Sequence, residues 1–323
     1  MPLIHPSTYT TTGIFKNKHI HTIIPSQLRR IKKPPYQRER IATPDGDFLD
    51  LDWLKSKGAK NLLIILHGLE GSSESSYVKG ISTFFHGKGW DTLALNFRGC
   101  SGEPNRLLRS YHSGDTEDLH WVVMQILSTY SYQKIFLSGF SLGGNVLLKY
   151  LGESHAKVPK EVRAGIAVST PVDIADSAHT LSKVSNWIYV KHFMLSLNPK
   201  LRQKQKQFPG QVHLPKKRMP RTFAEFDGWF TAPVHGFRDA EDYWKKASSK
   251  PHLKKIKVPT LILQPQDDPF LGNACYPVEI CRDHTHLYLE SPPYGGHVGM
   301  IPVAKGKPYW AEQRAWEFFT EKG

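Results

Sequence analysis

Cysteine is scarce in this chain. Only Cys100, Cys275 and Cys281 occur in 323 residues. An odd, widely spaced set makes neither a disulfide framework nor a CxxC zinc pair, so ordinary reduced thiols and no metal site are expected. Long apolar runs are missing too. A stretch such as Leu62-Leu63-Ile64-Ile65-Leu66 has the length of a strand. A membrane-spanning helix needs ~18–20 apolar residues, and none is expected. The opening residues MPLIHPSTYTTTG show no basic n-region followed by an apolar h-region. A secretory signal is therefore not expected, and a cytoplasmic location is. No internal repeat or low-complexity tract appears.

Acidic residues are also short: 29 Asp and Glu stand against 43 Lys and Arg, a formal charge of +14. Much of the excess lies in 29–40 and 200–221. Such a balance draws in anionic head groups, acidic substrates or nucleic acid, or it serves solubility alone. No zinc-finger spacing and no RNP-like aromatic strand accompanies it, so no nucleic-acid partner is expected. Peripheral contact with an anionic membrane stays open. Composition is otherwise that of an ordered globular protein, with 39% hydrophobic and 22% charged residues.

What is present is alternation. Residues 38–43, the turn Pro44-Asp45-Gly46-Asp47 and residues 48–54 read as a hairpin, because Pro fixes φ and Gly accepts a positive one. Strands are predicted over 61–66, 91–97, 134–137 and 163–169. Helices are predicted over 77–88, 116–130 and 142–151. In the second of these Leu119, Val122, Val123, Ile126 and Leu127 share one face. Strands alternating with helices build a mostly parallel sheet covered on both faces. The rhythm breaks over 172–249, rich in aromatics, basic residues and prolines, and returns with strands at 260–264 and 286–289 and a helix at 308–320. The whole chain is read as one domain, with 172–249 as a cap or lid inserted after the sixth strand.

The chemistry sits where strands end. Gly139-Phe140-Ser141-Leu142-Gly143, followed by Gly144, fits G-x-S-x-G between an apolar strand and a helix. Such a turn lifts a serine Oγ above the sheet edge and makes Ser141 the candidate nucleophile. A serine hydroxyl needs a base, and an acid to orient that base. His297, framed in Gly295-Gly296-His297-Val298-Gly299 past the last strand, is the candidate base. Pro265-Gln266-Asp267-Asp268-Pro269 follows the strand before it. Asp268 is the candidate acid and Asp267 the reserve. The oxyanion of a tetrahedral intermediate needs donors, assigned to the backbone N–H groups of Leu69 and Leu142. His67 precedes Ser141, breaks the order nucleophile–acid–base, and is expected to be structural.

These motifs resemble more than a general hydrolase. His67-Gly68-Leu69-Glu70-Gly71-Ser72, the run from Asn96-Phe97-Arg98-Gly99 to Asn105-Arg106, Tyr111-His112-Ser113-Gly114, Ser141-Leu142-Gly143-Gly144-Asn145 and Asp267-Asp268-Pro269-Phe270 are together similar to the YheT-like α/β-hydrolase family. Asn17-Lys18-His19-Ile20-His21-Thr22 resembles that branch's N-terminal signature. The resemblance implies the α/β-hydrolase fold and a carboxylic-ester hydrolase using Ser141, Asp268 and His297 without a cofactor. Eukaryotic members of the family are linked to lipid and phospholipid acyl chemistry. The expected activity is hydrolysis of esters with short or medium acyl chains through an acyl-enzyme on Ser141. An acyltransferase, or a lipase or phospholipase at a membrane surface, would use the same three residues. The Arg98 loop is expected to be structural.

Overall fold

The computed structural model describes residues 2–153, 157–215, 218–302 and 307–323. Among the described residues nine strands form one sheet: β1 (Leu3–Ile4), β2 (Gln37–Ala42), β3 (Phe48–Leu54), β4 (Asn61–Leu66), β5 (Asp91–Asn96), β6 (Lys134–Phe140), β7 (Val162–Val168), β8 (Thr260–Leu263) and β9 (Leu287–Glu290). Their order is β1-β9-β8-β7-β6-β4-β5-β3-β2. Only the pairs of β3 with β2 and with β5 are antiparallel. All others are parallel. This is the mostly parallel sheet that the alternation predicted.

The parallel strands carry apolar residues on both sides because helices cover both faces. In β4, Leu62, Ile64 and Leu66 enter one core and Leu63 and Ile65 the other, as a two-residue period requires. β3 solves a harder problem. Its Asp50 and Asp52 are buried, and the edge strand β2 answers them in register. Arg40 Nε donates to Asp50 (2.8 Å) and Arg38 Nε to Asp52 (2.8 Å). The hairpin turn between them closes through Gly46 N–H on the Thr43 carbonyl.

The helices that matter for the site are α1 (Lys18–Leu28), α2 (Ser76–His86), α3 (Glu117–Thr129), α4 (Leu142–Glu153), α5 (Ile174–Leu181) and α6 (Trp187–Gln207). The closing helix is Trp310–Lys322. Boundaries agree with the pattern to within a few residues, except that β6 runs on to Phe140, where it pairs with Val168. Two elements are additions to the sequence-based expectation. β1 joins the sheet edge beside β9, and α1 forms in the opening stretch, for which no helix was predicted. Without the two-residue β1, the helical segment follows the sixth strand as expected. With it counted, that segment lies between β7 and β8. It comprises α5, α6, helical turns over 223–234 and the helix Ala240–Ala247. Its residues 216–217 lie outside the described part.

Candidate active site

Parallel strands deliver their following loops to one edge of a sheet, and ligands gather there. Here β4 delivers Leu69, β6 delivers Ser141, β8 delivers Asp268 and β9 delivers His297. Leu69, Ser141, Leu142 and His297 line one cavity of about 520 Å³. Its other wall comes from the helical segment, including Ile174, Leu181, Leu197, Phe223, Phe226 and Phe230.

Ser141 sits at φ +50°, a left-handed conformation unfavourable for a residue with a side chain. Close backbone packing holds it there. The Ser141 amide donates to the Val168 carbonyl (2.9 Å), and the Ser141 carbonyl accepts from Gly144 N–H (3.0 Å). A Cβ on Gly143 would lie 2.5 Å from the His67 carbonyl oxygen, and one on Gly139 2.4 Å from that of Gly143. Only glycine lets strand, turn and helix approach this closely.

The histidine is held from four sides. His297 Nδ1 meets Asp268 Oδ2 at 2.9 Å and Oδ1 at 3.1 Å. Its backbone N–H donates to Thr22 Oγ1 of α1 (2.9 Å), and the next amide, Val298, donates to Ser169 Oγ (2.9 Å). The Phe270 ring stacks on the imidazole at 4.0 Å. Asp268 is buried and also accepts from Phe270 N–H (2.9 Å). With Nδ1–H donated to the carboxylate, Nε2 is the nitrogen left to accept a proton.

The two adjacent aspartates divide the work. Asp268 takes the imidazole, whereas Asp267 Oδ1 accepts from Gly296 N–H (2.9 Å) and so fixes the loop that carries it. Among the described residues, Asp267 Oδ2 is buried without a hydrogen-bond partner. Burial pushes this carboxyl up to about 6. His67 is also structural in its contacts. Its Nδ1 lies 2.7 Å from the Gly68 carbonyl, and its Nε2 accepts from Phe97 N–H (3.1 Å). Burial pushes it down to about 4, so it stays neutral near pH 7.

The loop after β4 has its amides allotted. Gly68 N–H donates to the Tyr77 hydroxyl (2.9 Å), Glu70 N–H to the Tyr111 hydroxyl (2.8 Å) and Gly71 N–H to the Gly68 carbonyl (3.0 Å). Among the described residues, none of the hydrogen bonds of this loop uses the Leu69 amide. Leu142 is the first residue of α4, where amides lack an intrahelical partner. Leu69 and Leu142 both line the cavity, and Leu142 stands at the positive end of α4.

Arg98 is buried and bound by carboxylates. It forms a two-pronged pair with Asp118 (2.7 and 2.6 Å) and reaches Asp45 (2.8 Å). Asn105 donates to Asp47 (2.7 Å) and to the Arg109 carbonyl (2.7 Å), tying the loop 98–106 to the β2–β3 turn and to the residues that follow the loop. Thr22, Ser169, Phe270, Tyr77 and Tyr111 were not singled out from the sequence. Thr22, Tyr111 and Phe270 lay in motifs that carried the family resemblance, whereas Ser169 and Tyr77 did not.

A serine on a strained turn after a parallel strand, facing a cavity it shares with a carboxylate-bound histidine, marks the class of α/β hydrolases. A family model described as the alpha/beta hydrolase fold matches residues 61–302. YheT of Escherichia coli (strain K12), whose name assigns it provisionally to the esterases, is 35% identical over 95% of this chain and 91% of its own. The chain therefore belongs to the α/β-hydrolase fold family, in its YheT-like branch. Human phospholipase ABHD3 is 29% identical over 83% of this chain and 68% of its own. The monoacylglycerol lipase of Saccharomyces cerevisiae is 30% identical over 80% of this chain and 59% of its own. Among solved structures, an esterase of Pyrococcus furiosus superposes with a TM-score of 0.60 at 20% identity, covering 89% of this chain and 91% of that one. That last likeness is one of fold.

Proposed function

We propose that the protein hydrolyses carboxylic esters of short or medium acyl chains, with Ser141 as nucleophile, His297 as base and Asp268 as the acid that orients it. The observation that carries this reading is the pair His297 Nδ1–Asp268 (2.9 Å) bordering the cavity that Ser141 also lines. Ser141 Oγ attacks the ester carbonyl while His297 Nε2 takes the hydroxyl proton. The oxyanion is received by the amides of Leu69 and Leu142. His297 returns the proton to the departing alkoxide, which leaves as the alcohol. Water then attacks the acyl-enzyme, gives its proton to His297, and the carboxylic acid departs as the proton goes back to Ser141 Oγ. No metal or organic cofactor takes part.

The segment 172–249 acts as the cap that dries this chemistry. A cavity of about 520 Å³ suits a small ester, within the ~300–1,000 Å³ of ordinary ligand sites. A second reading keeps the same three residues. The names of human ABHD3 and the yeast lipase support a lipid ester as substrate, and the apolar wall from Ile174 to Phe230 supports an acyl chain. An alcohol acceptor in place of water makes the same site an acyltransferase.

The test is turnover of p-nitrophenyl esters from acetate to palmitate, with fluorophosphonate labelling, for wild type, Ser141→Ala and Asp268→Asn. Ser141→Ala should lose labelling and about 10⁶ in rate. Asp268→Asn should lose about 10⁴ while remaining folded. A rate maximum at butyrate or octanoate supports the esterase, and one at palmitate moves the assignment to the lipase reading. Ester products formed with an added alcohol identify the transferase. A Ser141→Ala enzyme that still labels and turns over would falsify the nucleophile assignment.

A further inference from the structure

The charge of this molecule is not spread evenly. Residues 1–38 and 177–224 contain seventeen Lys and Arg and no Asp or Glu. The remaining residues carry twenty-six Lys and Arg against twenty-nine Asp and Glu. The whole positive excess thus comes from two segments far apart in sequence. In the fold they touch: His19 Nδ1 of α1 lies 2.9 Å from the Tyr189 hydroxyl of α6. Lys216 and Lys217 lie outside the described residues. Some of the other cations are spent on protein partners, as Arg29 is on Glu312 and Lys200 on Glu70.

Most of the exposed apolar side chains fall in the same two segments, Met124 and Tyr294 being the others. Among the described residues nine large hydrophobic side chains stand exposed. Ile14, Ile23 and Leu28 belong to the first segment. Val184, Trp187, Ile188 and Leu195 belong to the second. On α6, Trp187, Lys191 and Leu195 are four residues apart and share one face, with Lys191 Nζ over the Trp187 ring at 5.6 Å. Trp187 is 58% and Leu195 68% exposed. Other α6 positions, Phe193, Leu197 and Leu201, line the cavity. One helix therefore lines the cavity inside and leaves apolar and basic residues outside.

We propose that this outer face docks on an anionic lipid bilayer, with Trp187, Ile188 and Leu195 entering the interface and the surrounding Lys and Arg meeting the head groups. Indole at the water–lipid boundary and lysines around an apolar patch are the chemistry of peripheral membrane binding. A second copy of the chain fits poorly, because two such faces repel. Nucleic acid would use the cations but would leave the apolar side chains in water. The face deepens the proposed ester hydrolysis by bringing the cap to a lipid surface, and it rests on that reading only for its purpose.

The experiment uses the full chain as Ser141→Ala, so binding is measured apart from turnover. Co-sedimentation with phosphatidylcholine vesicles, with and without phosphatidylglycerol, is followed together with tryptophan emission. Binding should require phosphatidylglycerol, weaken with salt and shift emission to the blue. Trp187→Ser with Ile188→Ser should cut the vesicle affinity tenfold or more. Lys191→Ala should cut it about fivefold. Trp187→Ser with Ile188→Ser in the otherwise wild-type chain should leave p-nitrophenyl butyrate hydrolysis unchanged, which shows the fold intact. Equal binding to uncharged vesicles, affinity unmoved by the Trp187 and Ile188 changes, or full displacement from vesicles by duplex DNA would each overturn the proposal. Loss of ester turnover in the wild type with vesicle binding intact would strike the proposed function and leave the docking face standing.

Discussion

The sheet edge and the helical segment opposite it bound the same cavity, yet they are held differently. At the sheet edge, backbone meets backbone. Gly139 and Gly143 pack without room for a methyl group, and His67 and Asp268 are buried with their hydrogen bonds made. The helical segment has short contacts of its own, such as Ser177 Oγ on the Phe270 carbonyl (2.8 Å), but it is also tied down by long side chains. Lys200 Nζ reaches Glu70 (2.9 Å) and Lys204 Nζ reaches the Asn105 carbonyl (3.1 Å). Asn145 of α4 provides a firmer hinge where the segment returns, donating to the Ala247 carbonyl (2.8 Å) and accepting from Ser249 N–H (2.9 Å). The wall that must position reacting atoms is built from short-range contacts that tolerate no change. The wall that meets the rest of a substrate is built from contacts that can be exchanged.

The largest effect expected from this contrast is at Gly143. Gly143→Ala places a Cβ against the Leu66 and His67 carbonyl oxygens at 2.6 and 2.5 Å, where only backbone could yield. A loss of about 3 kcal/mol or more in urea denaturation is expected. A smaller loss would mean the elbow has slack.

Asp267→Asn comes next, with the opposite sign. Burial holds the Asp267 carboxyl at about 6, above the ~3.9 of an unfolded chain. A raised value favours the folded state fully below the unfolded pKa, and that gain is lost as pH rises through about 6. Asparagine keeps an acceptor for Gly296 N–H and carries no charge. The variant should therefore exceed wild type by about 1–2 kcal/mol at pH 8, and the difference should vanish toward pH 4. A difference independent of pH would assign it to packing.

The smallest effect is expected at the helical segment. Lys200→Met keeps the apolar stem and removes an ion pair whose glutamate end is buried but keeps the Tyr111 hydroxyl as a partner. Stability should fall by about 1 kcal/mol, and kcat/KM only a few-fold. A loss as large as that at Gly143 would erase the distinction between the two walls.

The sheet and the elbow were legible because their signals are local. A buried parallel strand such as 61–66 must be apolar throughout, and G-x-S-x-G declares its turn by glycine spacing. Asp268 and His297 were legible through topology, since chain order tells which loops meet at the sheet edge. What escaped notice lacked a period or contradicted one. β1 has two residues, too few for any alternation. α1 contains Pro25 and α6 contains Pro199, and proline inside a pattern reads as an end. Thr22 escaped because its role is to accept a hydrogen bond from a residue 275 positions away, and nothing in its neighbours announces that. The partition between Asp267 and Asp268 escaped in part. Sequence could rank them, but only the fold gives Asp267 a task of its own.

That distant bond bears on how the protein comes into being. β1 pairs with β9, Thr22 holds His297, and the Tyr9 hydroxyl donates to the Ile301 carbonyl (3.0 Å). A ribosome adding about 5–20 residues per second makes the first partners roughly 15–60 s before the second. During that interval the early segment has its contacts with α2 and α6 within reach but lacks these last partners. The last loop to emerge is also the one that carries His297. The contacts that seat His297 are thus complete only when both ends of the sequence close on one another.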